Sequence, residues 1–297
     1  MKSCGWTRRC VAVALCVLAW AASGVEPAKP EVAEPASVSP APDFAPEWRP
    51  IFQGVDVAET HPTLGPLAVY TVRVDLGAPG IEFLVTPSNG ERELETDGQT
   101  VSAFLKEHSL QVAVNASPYS PVNNTPSSPR DISGLSMSRG ELYSEPGSEL
   151  PALLIGPDNR VWFAEAPVDK GEAYNGVSGF AMILKDGVNT GTGLPRHPRT
   201  AAGLSKDGKK FYLMVIDGRQ PGFSIGATTA ETADWIRAFG ADDAINLDGG
   251  GSSALVVAQP EAEAKVINRP IHFNVPGLER VNGNNIGFHA QPLPDAP

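Results

Sequence analysis

The sequence of 297 residues has only three cysteines, and all three lie among its first 16 residues, as Cys4, Cys10 and Cys16. The rest of the chain therefore has no thiol that could form a disulfide, hold a metal as a thiolate or act as a nucleophile. Histidine is also scarce, with five in the whole chain. The positions of the cysteines exclude thiol chemistry beyond residue 16, so carboxylates, arginines, hydroxyl groups and the few histidines would form any site.

Basic residues are in the minority, because 23 lysines and arginines stand against 34 aspartates and glutamates. The formal net charge is −11 at pH 7. Such an excess of negative charge repels nucleic acids and anionic membrane surfaces, so we expect no nucleic-acid partner. An anionic ligand would have to be held by a few arginines concentrated in one site.

Long apolar runs are missing from most of the chain, and the clearest one lies near the N-terminus. It extends from Val11 to Trp20 and follows the basic residues Arg8 and Arg9. A run of this length is too short for a typical transmembrane helix. A basic start, a short apolar core and small residues near its end are typical of a secretory signal peptide. We interpret residues 1–24 as that signal.

Removal of this signal would take away three basic residues and no acidic ones, which changes the net charge from −11 to −14. We therefore expect an exported protein, periplasmic or extracellular, with no membrane insertion once the signal is removed. If the signal is not cleaved, it would act as an N-terminal membrane anchor.

Residues 25–47 consist largely of alanine, proline and glutamate, with almost no large apolar side chains. Such a composition cannot bury enough surface to offset the entropy lost on ordering, so we interpret this segment as a flexible linker. We expect one folded domain over residues 48–290, followed by a C-terminal tail of residues 291–297. These features do not specify the oligomeric state.

Short apolar segments separated by glycine, proline and asparagine dominate the domain and predict many β-strands. FYLMVID and AINLD are nearly continuous, which is typical of strands buried on both faces. Residues 228–240 predict a helix with Thr228 and Glu231 as a capping box, and residues 100–108 predict a shorter one. We therefore expect an α+β fold: a mixed β-sheet with few flanking helices, including one βαβ unit over about residues 210–248.

Asp248 is the last residue of AINLD, and three glycines and two serines follow it. Ligands collect at the carboxyl ends of strands in open sheets, and glycine admits a ligand close to the backbone. Successive N–H groups there can bind an anion, although the lack of a nearby lysine excludes a P-loop. A glycine-rich turn capped by Asp248 would have the same sequence, and this segment alone does not separate the two interpretations.

Two further segments place arginines near predicted strand ends. RHPRTAAGL contains His197 and Arg199, and FYLMVIDGR ends in Asp217, Gly218 and Arg219. Arginine forms bidentate bonds with phosphate or carboxylate, and glycoside cleavage generally uses two carboxylates. If the strands before Asp217 and Asp248 are adjacent and parallel, both carboxylates share one sheet edge. His197 is either an acid–base group or a hydrogen-bonded structural residue.

HPRTAAG, VIDGR and GADDAINLDGGGSSALVV, in this order and spacing, resemble the phosphodiester glycosidase family. The resemblance extends over about residues 110–290, and DISGLSMSRGEL and LERVNGNNIGF look like further family segments. It implies hydrolysis of a glycosyl phosphodiester at the anomeric C–O bond, with release of a sugar and a phosphomonoester, on an envelope or extracellular glycoconjugate. VNASPYSP departs from the family pattern, because it lacks paired aromatic residues after Asn115.

The resemblance and the residue chemistry together predict Asp248 and Asp217 as the catalytic residues. Asp248 would stabilise the oxocarbenium-like centre as nucleophile or as base for water, and Asp217 would orient Arg219 or share the acid–base role. The leaving phosphate needs charge stabilisation more than protonation. The predicted phosphate- and sugar-binding residues are Arg199, Arg219, Thr200, Gly249, Gly250, Gly251, Ser252, Ser253, Asn115 and His197.

Two alternative functions use the same residues. A non-catalytic binding module for a phosphorylated polysaccharide could use the same arginines and glycines. A metal-dependent phosphodiesterase could hold Mg²⁺ or Ca²⁺ with oxygen atoms of Asp217, Asn246 and Asp248. The favoured hypothesis needs no cofactor, although a single structural Ca²⁺ or Mg²⁺ is compatible with the sequence. The expected partner is a small-molecule or polysaccharide substrate.

Overall fold

The structure is a computed structural model that describes residues 38–40, 43–62, 65–147, 149–193, 195–260 and 263–294. The predicted signal peptide, residues 25–37 of the predicted linker and the end of the predicted C-terminal tail lie outside these residues.

Strands account for most of the regular structure in the described residues, as the many short apolar segments predict. The two α-helices are α1 (Val101–Glu107) and α2 (Thr229–Phe239), and short 3-10 helices lie at Gly250–Ser252 and His272–Asn274. The strands in chain order are β1 (Arg49–Phe52), β2 (Val55–Thr60), β3 (Val69–Asp75), β4 (Glu82–Val85), β5 (Thr96–Asp97), β6 (Val112–Asn115), β7 (Tyr119–Ser120), β8 (Pro129–Ile132), β9 (Ser136–Ser138), β10 (Glu141–Ser144), β11 (Ala152–Ile155), β12 (Val161–Ala164), β13 (Asn175–Ser178), β14 (Ala181–Lys185), β15 (Val188–Asn189), β16 (Arg199–Leu204), β17 (Lys210–Ile216), β18 (Asp243–Asn246), β19 (Leu255–Ala258), β20 (Ala264–Val266) and β21 (Asn285–His289).

These strands form four sheets, and every ladder between neighbouring strands is antiparallel. The first sheet has eight strands in the order β1-β2-β3-β17-β16-β18-β14-β15. The second has the order β20-β19-β6-β21-β4 and the third the order β10-β9-β13-β11-β12. The fourth is a small sheet with the order β5-β8-β7.

The predicted α+β class is wrong, because the described chain is mostly β, with antiparallel sheets and two α-helices. The predicted βαβ unit is wrong as well. β17, α2 and β18 form where the sequence predicts them, but β16 lies between β17 and β18 and pairs antiparallel with both. Sequence periodicity reports where strands occur and which faces are buried, but it does not report which strand becomes the neighbour.

The continuous apolar pattern of β17 has a different cause from parallel pairing. The odd-numbered residues from Phe211 to Val215 lie in a core that the first sheet shares with the second and third sheets. The even-numbered residues from Tyr212 to Ile216 lie in a second core, beneath α2. A strand of an antiparallel sheet is therefore buried on both faces here, because a layer of structure covers each face.

The helices form where their capping signals predict. The Thr228 side chain accepts from the Glu231 N–H at 3.0 Å, and the Glu231 carboxylate accepts from the Thr228 N–H at 2.9 Å, which confirms the predicted capping box. α2 ends at Gly240, which adopts a φ of +119°. The shorter helix α1 begins after Thr100 and packs on the second sheet.

The described residues of the predicted linker pack against α2. The Val38 N–H donates to Glu231 Oε1 at 3.0 Å, and Trp235 Nε1 donates to the Val38 carbonyl at 2.7 Å. The Phe44 ring meets the Trp235 ring edge to face, with 5.1 Å between centroids. A few apolar side chains in an otherwise polar, proline-rich segment are thus enough to hold these residues on the domain.

Candidate active site

Asp248 lies where the first and second sheets meet, just after β18. Its N–H donates to the Ala116 carbonyl at 2.9 Å, and its carbonyl accepts from Asn115 Nδ2 at 2.6 Å. The buried Asn115 amide oxygen accepts from Thr200 Oγ1 at 2.8 Å and from the Ala254 N–H at 3.3 Å. Asn115 and Thr200, both predicted as binding residues, therefore hold the Asp248 backbone in place through these hydrogen bonds.

The Asp248 carboxyl group is half-buried and lies among hydrogen-bond donors and positive charges. The Gly249 N–H donates to its Oδ1 at 2.9 Å. Burial raises the pKa of this carboxyl group, while a hydrogen bond with Ser252 and the charges of Arg280 and Arg219 partly offset that effect. A carboxylate of raised basicity, close to two guanidinium groups, can take a proton from water or stabilise a developing cation.

Gly250 and Gly251 leave room for these two guanidinium groups. A Cβ atom at Gly250 would lie 3.0 Å from Arg219 Nη2, and one at Gly251 would lie 2.4 Å from Arg280 Nη2. Gly250 also has a φ of +63°, in the left-handed region that favours glycine. The consecutive glycines thus allow two arginines to lie directly against the backbone beside Asp248.

Several N–H groups of the glycine loop donate to acceptors within the protein. The Gly249 N–H binds Asp248 Oδ1, the Gly250 N–H binds the Pro198 carbonyl at 2.9 Å, and the Ser252 N–H binds the Gly249 carbonyl at 3.2 Å. A Cβ atom at Gly249 would lie 2.8 Å from the Pro198 oxygen. These three N–H groups therefore position the loop, and the neighbouring arginines provide donors for an anion.

Arg219, Arg199 and His197 form one side of the cluster. Arg219 is exposed at a φ of +59°, and its Nη2 lies 3.3 Å from His197 Nδ1. Arg199 donates to the Ala227 carbonyl at 2.9 Å and to the Pro195 carbonyl at 2.7 Å. Burial and the charge of Arg219 lower the pKa of Arg199, and burial and both arginines lower the pKa of His197. These positive charges lie close enough to repel one another, so a bound anion would stabilise the cluster.

Arg280 and His272, which were not predicted from the sequence, form the other side. Arg280 Nε donates to His272 Nδ1 at 3.1 Å, and Arg280 Nη1 donates to Ser252 Oγ at 3.2 Å. His272 is 2% exposed, and burial and the charge of Arg280 lower its pKa, which favours the neutral ring that accepts this bond. Arg280 lies in the LERVNGNNIGF segment, so a signal for it was present, whereas nothing in the local sequence indicates His272.

The cluster carries more positive charge than the Asp248 carboxylate offsets. Within the described ranges, Arg199, Arg219 and Arg280 form no salt bridge with a carboxylate. An arginine that is partly desolvated without an anionic partner is a favourable position for phosphate, because a guanidinium binds two phosphate oxygens at once. The structure places four of the predicted residues in this one cluster: Arg199, Arg219, His197 and Asp248.

Tyr119, in the segment that departs from the family pattern, borders this cluster, and the loop between β7 and β8 follows it in the chain. Tyr119 donates to the Val281 carbonyl at 2.9 Å, and Asn124 Oδ1 accepts from the Val281 N–H at 3.1 Å. The buried Arg130 side chain organises the loop from inside, with a bond to Asn123 Oδ1 at 2.9 Å. Burial raises the pKa of Tyr119 to about 12, so its hydroxyl group acts as a neutral donor.

Asp217 bonds to groups other than the arginines with which it was predicted to act. It is 1% exposed, and its carboxylate accepts from Asn268 Nδ2 and from the Arg269 N–H, both at 2.8 Å. Asn268 Oδ1 in turn accepts from the Leu255 N–H at 2.8 Å. In the described part of the chain no hydrogen bond or salt bridge joins Asp217 to Arg219. The contacts of Asp217 thus hold the segment that follows β20.

Asp217 is expected to make the stability of the protein depend on pH. Burial raises its pKa from 3.8 to about 7, so between these values the carboxyl group is protonated in the folded chain and ionised in the unfolded chain. The contribution of this carboxyl group to the stability of the folded state is fully present below pH 3.8. It is lost as the pH rises through about 7. The free energy of unfolding should fall by up to about 1.4 kcal/mol per pH unit in this window.

Chemical denaturation at pH 5, 6, 7 and 8 measures this slope. The Asp217→Asn variant, which cannot ionise, is expected to lose this part of the slope, while Glu91→Gln at an exposed position should retain it. Equal slopes for the wild-type protein and Asp217→Asn would contradict the prediction.

No group of three or more His, Cys, Asp or Glu side chains in the described ranges is arranged to hold a metal ion. None of the helices in the same part of the chain has the length and apolar character of a membrane span.

Solved structures with the same fold include three proteins of low sequence identity. The catalytic domain of zebrafish N-acetylglucosamine-1-phosphodiester α-N-acetylglucosaminidase, auto-inhibited by its pro-peptide, has a TM-score of 0.60 at 17% identity, over 86% of this chain and 87% of that one. A hypothetical protein from Synechocystis has a TM-score of 0.61 at 15% identity, over 80% of this chain, and this chain spans only 62% of its length. A Burkholderia pseudomallei protein described as exported has a TM-score of 0.56 at 18% identity, over 77% and 75%. At these identities the comparisons show a shared fold.

The sequence itself identifies the family. Comparison with curated proteins gives no match. A family model described as phosphodiester glycosidase matches residues 108–289, which is more than half of the chain and includes Arg199, Arg219, Asp248 and Arg280. The resemblance predicted from the motifs is therefore confirmed. The chain belongs to the phosphodiester glycosidase family and is a glycosidase hydrolase.

Proposed function

We propose that this enzyme hydrolyses a glycosyl phosphodiester at the anomeric C–O bond and releases a sugar and a phosphomonoester. The observation that carries the proposal is the position of the half-buried Asp248 carboxyl group beside Arg219 and Arg280, two arginines without a carboxylate partner in the described residues. A carboxylate for the sugar carbon and guanidinium groups for the departing phosphate are the two parts that this reaction needs.

The proposed reaction assigns a separate task to each side of the cluster. Arg219 and Arg280 bind the phosphate oxygens and stabilise the negative charge that the phosphomonoester gains as the C–O bond breaks. Asp248 stabilises the positive charge at the anomeric carbon, as nucleophile in a retaining reaction or as base for water in an inverting one. Water supplies the new hydroxyl group on the sugar, and its proton passes to the carboxylate or to the phosphate.

Arg199 contributes to this reaction through its charge and through the loop that it holds. Its guanidinium group donates to the Pro195 carbonyl, which shortly precedes His197 in the chain. It also donates to the Ala227 carbonyl, which shortly precedes α2. These bonds fix the segment that presents His197 to Arg219. The pKa of His197 is lowered, so the neutral ring can accept a hydrogen bond from Arg219 and orient its guanidinium group.

We propose an exported location for the reaction, in the periplasm or outside the cell. The basic and apolar character of residues 1–24 supports this location. The substrate would then be a small glycosyl phosphodiester or a phosphorylated polysaccharide of the cell envelope. Tyr119 lies in the segment that departs from the family pattern and borders Arg280, so this segment would shape the part of the site that selects the sugar.

Hydrolysis in H₂¹⁸O tests which bond breaks. The substrates are α-linked hexose and N-acetylhexosamine 1-phosphates esterified to methanol, and mass spectrometry locates the label in the products. The proposal expects ¹⁸O in the sugar hydroxyl group, because water attacks carbon. Label in the phosphate would instead indicate attack at phosphorus, as in the metal-dependent alternative, and binding without released sugar would favour the binding module.

A further inference from the structure

The loop from Ile271 to Arg280 exposes an unusual amount of apolar surface. Phe273 is 69% exposed, Val275 is 50% exposed and Leu278 is 36% exposed. In the described residues, these are three of eight large hydrophobic side chains with such exposure, and they fall within six positions. We refer to Phe273, Val275 and Leu278 as the apolar rim. Exposed apolar side chains that are clustered indicate a binding surface more often than isolated ones do.

The backbone of this loop holds the apolar rim outward. The His272 N–H donates to the Leu278 carbonyl at 3.1 Å, and the Val275 N–H donates to the His272 carbonyl at 2.9 Å. Phe273 and Asn274 both have positive φ values, of +51° and +60°. This conformation is unfavourable for a phenylalanine, and burial of the ring does not compensate for it. Strain of this kind persists mainly at functional sites.

The apolar rim is connected directly to the phosphate-binding side of the cluster. The Phe273 ring lies over the His272 ring, with 3.9 Å between centroids and 31° between planes. His272 Nδ1 accepts from Arg280 Nε, and Arg280 also bonds to Ser252 beside Asp248. One side chain, His272, therefore separates the exposed aromatic ring from the guanidinium group of Arg280.

From this continuity we propose that the apolar rim binds the aglycone and that the substrate is an amphiphilic glycosyl phosphodiester, whose phosphate carries an alkyl or prenyl chain. The inference rests on the proposed function, since a phosphodiester has its sugar on one side and its second ester on the other. On the sugar side the residues are polar, because Asn115 bonds to the Asp248 carbonyl and Thr200 bonds to Asn115. A chain that leaves a phosphate bound at Arg280 on the other side meets the apolar rim.

Binding of alkyl phosphates tests the inference without requiring turnover. Octyl phosphate, kept below its micelle concentration, and methyl phosphate represent the leaving phosphomonoester, and isothermal titration calorimetry measures both dissociation constants. Octyl phosphate is expected to bind at least about tenfold more tightly, since each buried methylene contributes about fourfold. The variants Leu278→Ser and Phe273→Ser should reduce this ratio to about twofold or less, while Val188→Ser, at an exposed apolar residue on the hairpin of β14 and β15, should leave it unchanged.

Failure of the inference and failure of the proposed function give different results. Equal affinities for octyl and methyl phosphate overturn the inference and leave the proposed hydrolysis intact. A tenfold preference that depends on Leu278, in a protein that hydrolyses neither the methyl nor the octyl ester of a glycosyl phosphate, overturns the proposed function and supports an amphiphilic phosphate ligand. A concentration-dependent mass that Phe273→Ser abolishes, with no preference for octyl phosphate, would overturn the inference and assign the apolar rim to contact with a second copy.

Discussion

Replacing Asp248 with asparagine is expected to lower kcat by about 10³-fold, because the variant keeps the shape of the side chain and loses its negative charge. The Gly249 N–H can still donate to the side-chain oxygen, so the loop should keep its geometry. The melting temperature is expected to stay level or to rise slightly, because burial raises the pKa of Asp248 and folding therefore disfavours its charge. Steady-state kinetics on a glycosyl phosphodiester and thermal denaturation measure the two effects.

Asp242→Asn is a matched control for this variant, since Asp242 directly precedes β18, the strand that Asp248 follows. Its kcat should remain within about twofold of the wild-type value, as for a residue remote from the reaction. Full activity in Asp248→Asn would remove Asp248 from the mechanism. The wild-type activity should also decline on the acid side at a pH above the ordinary range of an aspartate, because the carboxyl group must be ionised to act.

Replacing Arg280 with glutamine is expected to lower kcat/KM by about 10²–10³-fold, as the loss of a donor to a developing negative charge typically does. Glutamine cannot supply the charge or the forked donors that Arg280 directs beside Ser252 and Gly251. The variant should also bind methyl phosphate more weakly, since the guanidinium group is expected to bind the phosphomonoester as well as the transition state. Kinetics and calorimetry with methyl phosphate measure these effects.

A purely structural role for Arg280 would leave a different signature. Its charge lowers the pKa of Asp248, so Arg280→Gln should move the acid limb of the activity profile to higher pH. Arg237→Gln, which removes an exposed arginine of α2 that pairs with Asp234, should change neither the acid limb nor phosphate binding. A loss of activity that is matched only by a lower melting temperature, with an unchanged acid limb, would contradict the proposed role.

Local features of the sequence determined much of the candidate site. The strands that end before Asp217 and Asp248 and the helix capped by Thr228 and Glu231 form as predicted, because short-range periodicity and capping bonds specify them. The motifs around Arg199 and Asp248 also predicted the family to which the chain belongs. The lack of cysteine beyond residue 16 excludes thiol chemistry there by composition alone, because no arrangement of the chain can supply a group that it does not contain.

Only the tertiary structure decided which of these residues lie together. Strand pairing is a long-range property, so the sequence could not show that β16 separates β17 from β18 or that Asp217 bonds to Asn268 and Arg269. The same holds for Arg280, which lies 29 residues beyond Gly251 in the chain and packs against it in the fold. The local pattern determines where a strand ends and which faces are buried, whereas packing of distant segments determines which charges meet at that end.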